Sequence, residues 1–239
     1  MARDFNGTSS DYIEETATAT SFIEGFTAIT FSFWIWPDNF TSEYKPMGQW
    51  SGNFDQSVFL INLQNGAAAG KVGCLLAAAS SSDSSNRRSS GVLTSGQWNH
   101  VIITWVATDT FTFRLNGSDS APETWITSDT IATPGSSGSR PKMRIGAAAD
   151  GGYLDGKMAE VAIWNRVLTS DEQTGLAGGE SPDTYLSNLK FYVPLLNAAG
   201  AVEDLMDRKG FTVNGTSLST HPSITYPTYN SRYLIQGGI

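Results

Sequence analysis

The sequence predicts an all-β domain with one short helix near residues 169–177. Apolar runs of strand length recur along the chain, and four Asn-Gly pairs supply the positive φ angles of tight turns. Thr169 and Glu172 predict the helix, because T-x-x-E is a capping box that bonds backbone N–H groups at a helix start. A chain of 239 residues is within the size of a single β domain. The Asn-Gly pairs begin at Asn6, Asn65, Asn116 and Asn214.

The first half of the chain contains most of the predicted strands, since aliphatic and aromatic residues favour strands. In FSFWIW, the residues Phe31, Phe33 and Ile35 share one face, and the two tryptophans share the other. The polar, Ser-rich stretch 79–91 is predicted to be an exposed loop. The other strands predicted here are SVFLINL from Ser57, KVGCLLAAA from Lys71, HVIITWV from His100 and TFTFRL from Thr110.

A further alternating segment, KMAEVAIW, predicts the strand that precedes the helix. Ala159, Val161 and Ile163 are expected on one face of this strand. The helix after it is predicted to end at Gly175 or Gly178. The opposite face of the strand is expected to carry Met158, Glu160, Ala162 and Trp164.

The net charge of the chain limits the classes of partner that it is expected to bind. With 15 basic and 23 acidic residues, the formal charge is −8, which disfavours binding to nucleic acid and to anionic membrane surfaces. No apolar run is long enough to span a bilayer, and the N-terminus lacks a signal-peptide pattern, so we expect synthesis in the cytoplasm without export. Cys74 is the single cysteine and lies in an apolar run, which predicts a buried thiol and no internal disulfide.

Four stretches, in this order, resemble the laminin-G-like, concanavalin A-like jelly-roll family of lectins and glucanases. They are DFNGTSSDYIE at 4–14, FTAITFSFWIWPD at 26–38, GQWNHVIITW with FTFRLNG at 96–117, and the glycine turn, strand and helix of 143–176. The resemblance implies a jelly-roll sandwich of two antiparallel sheets. We therefore predict one jelly-roll domain over residues 1–216.

Residues 217–239 are predicted to form an extended C-terminal arm. Two prolines favour extended backbone in this segment, and its tyrosines are suited to packing on another protein. The alternative is that the segment completes the sheet of its own domain or covers its edge. The residues predicted to bind a partner subunit are Tyr226, Tyr229, Tyr233, Leu234 and Ile235.

Catalytic patterns are not found in the sequence. The glucanases that the chain resembles carry E-hydrophobic-D-x-x-E, with two carboxylates that flank a sugar bond, and this motif is absent. Glu14 and Glu15 are adjacent, so they point to opposite faces of a strand. His100 and His221 provide neither a nucleophile–base pair nor a zinc ligand set. We predict that the protein is not an enzyme.

The resemblance also implies that calcium is the metal to consider, because many relatives hold it with carboxylates from the opening strand and the D-E-V strand. Asn6 and Ala159 stand at two of those positions, although Asp11 and Glu160 remain. Because calcium takes six to eight oxygen ligands and favours charged ones, we predict no metal and no cofactor. A weakened calcium site is the alternative.

A sugar-binding site would need an exposed aromatic platform with polar groups around it. Trp36, Tyr153 and Trp164 are the predicted glycan-binding residues, and Trp50 and Trp125 are further candidates. For each of these residues the alternative is a place in the core.

These observations lead to two hypotheses about function. The first is a non-enzymatic structural protein of a phage virion, a capsid decoration or a head or tail fibre component on the virion surface. It would attach to capsid or fibre subunits, and a homo-oligomer is compatible with it. The alternative is a lectin module that attaches to cell-surface glycans.

Overall fold

The computed structural model describes residues 2–7, 11–16, 23–78, 83–126, 129–196, 201–206 and 210–227. These residues form an all-β fold with one α-helix, α1, as predicted. The strands are β1 (Ala2–Asn6), β2 (Tyr12–Glu15), β3 (Ala28–Pro37), β4 (Tyr44–Gln49), β5 (Phe59–Leu63), β6 (Val72–Ala77), β7 (Ser84–Ser89), β8 (Asn99–Val106), β9 (Thr110–Leu115), β10 (Ser118–Ser120), β11 (Pro122–Glu123), β12 (Arg144–Ile145), β13 (Asp155–Trp164), β14 (Leu189–Val193), β15 (Ala201–Glu203), β16 (Gly210–Asn214) and β17 (Ser217–Ser219); α1 spans Ser170–Ala177.

The strands form two antiparallel sheets that pack face to face. In the first sheet the order is β10-β9-β8-β3-β13-β1-β17, and β14 also pairs with β13. In the second sheet the order is β11-β7-β6-β5-β4-β12-β2-β16-β15. The predicted jelly-roll sandwich of two antiparallel sheets is therefore confirmed.

The main core lies between the sheets. Phe31, Phe33 and Ile35 of β3 are fully buried, as their shared face predicts, and the ring of Phe31 lies 5.4 Å from that of Phe59 on the second sheet. Cys74 is buried here as well, and burial raises the pKa of its thiol. Alternate residues of these strands therefore point away from the core, onto the two outer faces.

Strand β13 departs from the predicted alternation at a bulge. Its register against β3 shifts between Ala159 and Ala162, and Glu160 has a φ of 54°. Met158 consequently faces the main core together with Val161, although strict alternation places these two residues on opposite faces. The bulge also marks the point where β13 changes its second partner from β1 to β14.

Helix α1 packs on the outer face of the first sheet. Leu168 and Leu176 pack with Trp164 in a second apolar cluster there. The predicted capping box of Thr169 and Glu172 is present, and Gly178 is the C-terminal cap.

The Ser-rich stretch does not remain a loop. Residues 84–89 form β7 of the second sheet, where Ser84, Ser85, Asn86 and Ser89 are buried. Their polar groups have hydrogen-bond partners; for example, Ser85 Oγ accepts a hydrogen bond from Trp105 Nε1 of β8 over 3.0 Å.

The described part of the predicted arm lies on its own domain, which is the alternative that the sequence left open. β17 pairs with β1, and Thr225 bridges to Glu180. A boundary at residue 216 would separate β16 from β17, although each strand is hydrogen-bonded into one of the two sheets. The remainder of the arm, residues 228–239, lies outside the described residues.

The hairpin between β9 and β10 turns at a predicted Asn-Gly pair. Asn116 and Gly117 have φ values of 53° and 78°, the left-handed conformation that such a turn requires. No helix in the described part of the chain has the length and apolar character needed to cross a bilayer.

Candidate functional site

Two tyrosines meet on the outer face of the second sheet. Tyr12 lies on β2 beside the buried Ile13, so its side chain points outward. Tyr153 follows Gly151 and Gly152, whose φ values of 107° and 74° turn the chain before β13. The two rings are 6.3 Å apart and tilted by 43°, and both are partly exposed.

A guanidinium group covers one of these rings. Arg144 lies on β12 opposite Glu14 of β2, and its Cζ is 4.3 Å from the centre of the Tyr12 ring. Its Nε and Nη2 each lie 2.8 Å from Glu14 Oε1, and its Nη1 donates to the carbonyl of Ala148. Hydrogen bonds therefore fix the plane of the guanidinium above Tyr12. We call Tyr12, Tyr153, Arg144 and Glu14 the tyrosine surface.

A second ion pair borders the same turn. Lys45 Nζ lies 2.6 Å from Asp150 Oδ2, and the Lys45 backbone N–H donates to the carbonyl of Gly152. A Cβ at Gly152 would lie 2.7 Å from the Lys45 side chain, so this close approach requires glycine. With Arg144 and Glu14, the two cations and two anions balance, and the local charge is close to zero.

A separate aromatic group lies on the same face. Trp50, Phe54 and Trp125 pack over Leu60 and Leu75, which point outward from β5 and β6. Trp50 is only 7 % exposed. This group therefore covers the sheet and does not provide an exposed aromatic platform for a sugar.

Trp36 lies on the other side of the sandwich. It points from the outer face of the first sheet, where its ring is 6.0 Å from that of Trp98 and 4.5 Å from Lys157 Nζ. It is partly exposed, but the structure does not bring it together with Tyr153. Trp36 points from the outer face of the first sheet, whereas the Tyr153 ring packs against Tyr12 on the outer face of the second sheet.

Trp164 is not available to a ligand in this structure. It is fully buried beneath helix α1, and its Nε1 donates to the Tyr185 carbonyl over 2.8 Å. The prediction that it binds glycan is wrong because the outer face of β13 is covered by the helix at this position.

Among the predicted partner-binding residues, only Tyr226 is described. Its hydroxyl donates to Glu160 Oε1 over 2.8 Å, while the hydroxyl of Tyr192 donates to Oε2 over 2.6 Å. Burial and the adjacent carboxylate raise the pKa of both tyrosines. Tyr226 therefore contacts its own domain. The other residues of this prediction, Tyr229, Tyr233, Leu234 and Ile235, lie outside the described residues.

The positions that family resemblance assigns to calcium do not form an oxygen cage. Both oxygens of Glu160 accept from tyrosine hydroxyls, and Asp11 Oδ2 accepts the N–H of Asn6. Asn6 pairs with Asp155, five residues before Glu160. At about 3.3 Å per residue, five residues span roughly 17 Å along the strand. The described residues contain no group of three or more His, Cys, Asp or Glu side chains placed to hold a metal.

Among the residues of the tyrosine surface, only Tyr153 is a glycan-binding residue predicted from the sequence; Tyr12 and Arg144 are not. The period-two pattern of Y-I-E-E could have placed Tyr12 and Glu14 on one outward face. The contact with Arg144 spans 130 residues of sequence and depends on the pairing of β2 with β12, which local pattern does not reveal.

Comparison with known proteins agrees with this fold. Residues 6–172 match the laminin G model described as the concanavalin A-like lectin/glucanases superfamily. No curated protein matches the chain.

Three solved structures share the architecture at low sequence identity. A proposed carbohydrate-binding protein from Bacteroides ovatus has a TM-score of 0.64 and 18 % identity over 94 % of this chain, which spans 62 % of that protein. A heptameric SAP-like pentraxin from Limulus polyphemus has a TM-score of 0.56 and 15 % identity, with 90 % and 95 % of the two chains covered. The CBM40 of a Ruminococcus gnavus IT-sialidase, bound to α2,3-sialyllactose, has a TM-score of 0.50 and 14 % identity, with 74 % and 98 % covered.

The structural likeness establishes the fold, and the family model covers more than half of the chain. The chain therefore belongs to the concanavalin A-like lectin/glucanases superfamily, as a laminin-G-like domain.

Proposed function

We propose that this chain is a non-catalytic carbohydrate-binding domain and that a neutral glycan binds to the tyrosine surface. The observation that carries the proposal is the partly exposed pair of Tyr12 and Tyr153, 6.3 Å apart, with the Arg144 guanidinium fixed over the Tyr12 ring. Aromatic rings pack against the apolar C–H face of a sugar, and planar charged groups bond its hydroxyl groups. Two structural neighbours, the proposed carbohydrate-binding protein and the CBM40 bound to α2,3-sialyllactose, support a glycan as the ligand.

The charge of the site favours a neutral glycan over an acidic one. Arg144 is paired with Glu14, and Lys45 is paired with Asp150. Neither cation is therefore left without a counter-charge to attract the carboxylate of an acidic glycan. The whole chain carries a formal charge of −8, which repels anionic polymers.

The virion role predicted from the sequence stays a prediction, as does its place on a virion surface. The hydroxyl of Tyr226, a residue predicted to bind a neighbouring subunit, donates to Glu160 of its own domain. Glycan binding and display on a virion are compatible, since a rigid sandwich can do both.

The proposal is tested by binding to an array of neutral and acidic glycans, followed by titration calorimetry. We expect Tyr12→Ala and Tyr153→Ala each to raise the Kd for the best neutral glycan at least tenfold, which corresponds to about 1.4 kcal/mol. Trp36→Ala is the matched control, because it removes a partly exposed aromatic side chain from the other sheet and should leave the Kd unchanged.

Two results would oppose the proposal. One is the absence of saturable binding to any glycan on the array. The other is a Kd that responds to Trp36→Ala but not to either tyrosine variant. Recovery of the glycan unchanged after incubation with the protein supports a non-catalytic domain.

A further inference from the structure

A groove of about 710 Å³ opens on the outer face of the first sheet, beside helix α1. Thr104 of β8 and Thr112 of β9 form its floor, because their neighbours Ile103 and Phe113 point into the main core. One wall is the start of the helix, and the other is the chain between β10 and β11. Its volume is typical of small-molecule sites, which measure roughly 300–1,000 Å³.

Six of the fifteen residues that line this groove carry hydroxyl groups. Thr104 is buried and hydrogen-bonded over 2.6 Å to Thr112, which is exposed. The Thr112 hydroxyl still has a lone pair or a proton for a further partner. Hydroxyl groups both donate and accept, which matches a ligand that itself carries many hydroxyls. The hydroxyl-bearing residues of the lining are Thr104, Thr110, Thr112, Ser120, Thr169 and Ser170.

Two valines add apolar surface to the same groove. Val106 and Val167 are 40 % and 39 % exposed, unusually high for large apolar side chains of this domain. A sugar ring has an apolar C–H face between polar edges, so it can cover the valines while its hydroxyls meet the threonines. Burial of that apolar surface would contribute to binding.

The charges of the groove also select its occupant. Arg114 and Asp119 line one end, and they pair with each other at 3.0 Å between Nε and Oδ1. The Arg114 guanidinium is held further by the carbonyl of Gly117. The groove thus has no unbalanced charge for an anionic or cationic ligand, and a neutral, polyhydroxylated ligand is complementary to it.

We propose that this groove is a second carbohydrate site, which binds one or two sugar units of a neutral oligosaccharide. It lies on the opposite face of the sandwich from the tyrosine surface, so the two sites cannot share one short ligand. A single chain could then bridge two glycan strands, which increases avidity for a polysaccharide over its fragments. The inference shares its ligand class with the proposed function but rests on different residues.

The test is heteronuclear NMR of the full chain titrated separately with arabinotriose, cellotetraose and maltotetraose. We expect shift changes in two groups of residues, one around Thr112, Val167 and Gln173 and one around the tyrosine surface. Thr112→Arg should fill the groove and weaken binding there at least tenfold, while the shifts around Tyr12 and Tyr153 persist. Thr94→Arg is the matched control, since it adds the same side chain at an exposed threonine outside the groove.

The outcomes separate the two proposals. Shifts confined to the tyrosine surface with all three sugars would overturn the groove site and leave the proposed function intact. Shifts confined to the groove, abolished by Thr112→Arg, would support this inference and overturn the tyrosine surface as the glycan site. No shifts at either place would overturn both.

Discussion

Tyr226 donates a hydrogen bond to Glu160 across 66 residues of sequence, and it thereby fastens the C-terminal segment to the central strand β13. Glu160 is only 1 % exposed and also accepts from Tyr192, while His221 Nε2 lies 3.1 Å from its Oε1. The bulge in β13 turns the Glu160 side chain toward this cluster. The Glu160 carboxylate thus has a structural role here.

Loss of the Tyr226 hydroxyl should destabilise the fold. Tyr226→Phe removes one of the two hydroxyl donors to a buried carboxylate, and we expect a loss of about 1–2 kcal/mol in the free energy of unfolding. Urea denaturation at pH 7.5 measures the change. Tyr153→Phe, which removes a hydroxyl from the tyrosine surface, is the control and should alter stability by less than about 0.5 kcal/mol. Equal effects of the two variants would contradict this role for Tyr226.

The same cluster predicts a loss of stability at alkaline pH. Burial and the Glu160 carboxylate raise the pKa of Tyr192 and Tyr226 in the folded state, whereas an unfolded tyrosine titrates near pH 10. A group whose folded pKa is raised stabilises the fold fully below its unfolded pKa, and that contribution falls as the pH rises above about 10. Denaturation midpoints at pH 8 and pH 11 measure it. The decrease should be smaller in Tyr226→Phe; an equal decrease would show that other groups cause it.

Much of the fold follows from local sequence, and the exceptions have physical causes. The capping box, the Asn-Gly turn at Asn116 and the buried face of Phe31 follow from spacing alone. The strand 84–89 escaped prediction because small polar residues can be buried when each finds a hydrogen-bond partner, as Ser85 does.

The candidate site was less predictable than the fold. Tyr153 could be named as an aromatic residue of a glycine-rich turn, but only the pairing of β2 with β12 brings Arg144 to Tyr12. Trp164 failed as a candidate because period two does not show that a helix covers the outer face of its strand. Exposure of an aromatic residue depends on tertiary packing, which the sequence pattern does not contain.

An ion pair at the start of helix α1 leads us to predict that the fold loses stability in acid. Arg166 binds both carboxylate oxygens of Glu172, and this hydrogen bonding lowers the pKa of Glu172 to about 2. A depressed folded pKa stabilises the fold above the unfolded value of about 4.3, and the contribution is lost as the pH falls from there toward 2. Glu172→Gln should remove about 1–2 kcal/mol at pH 7 and little at pH 2.5. Urea denaturation at both pH values tests this. Asp171→Asn is the control; a pH-independent effect of Glu172→Gln would contradict the ion-pair account.

Gly73 lies beneath Trp125, and we predict that this position has no room for a side chain. A Cβ at this position would lie 2.2 Å from Asn62 Oδ1 and 3.0 Å from the Trp125 ring, so Gly73→Ala must displace one of them. We expect a loss of about 1–3 kcal/mol in urea denaturation, the usual cost of overpacking. Gly138→Ala is the control, because its new Cβ would make only ordinary contacts at 3.4 Å. Since Asn62 is the nearer obstacle, the double variant Asn62→Ala/Gly73→Ala should lose less than the sum of the two single losses. Additive losses would show that Asn62 does not limit this position.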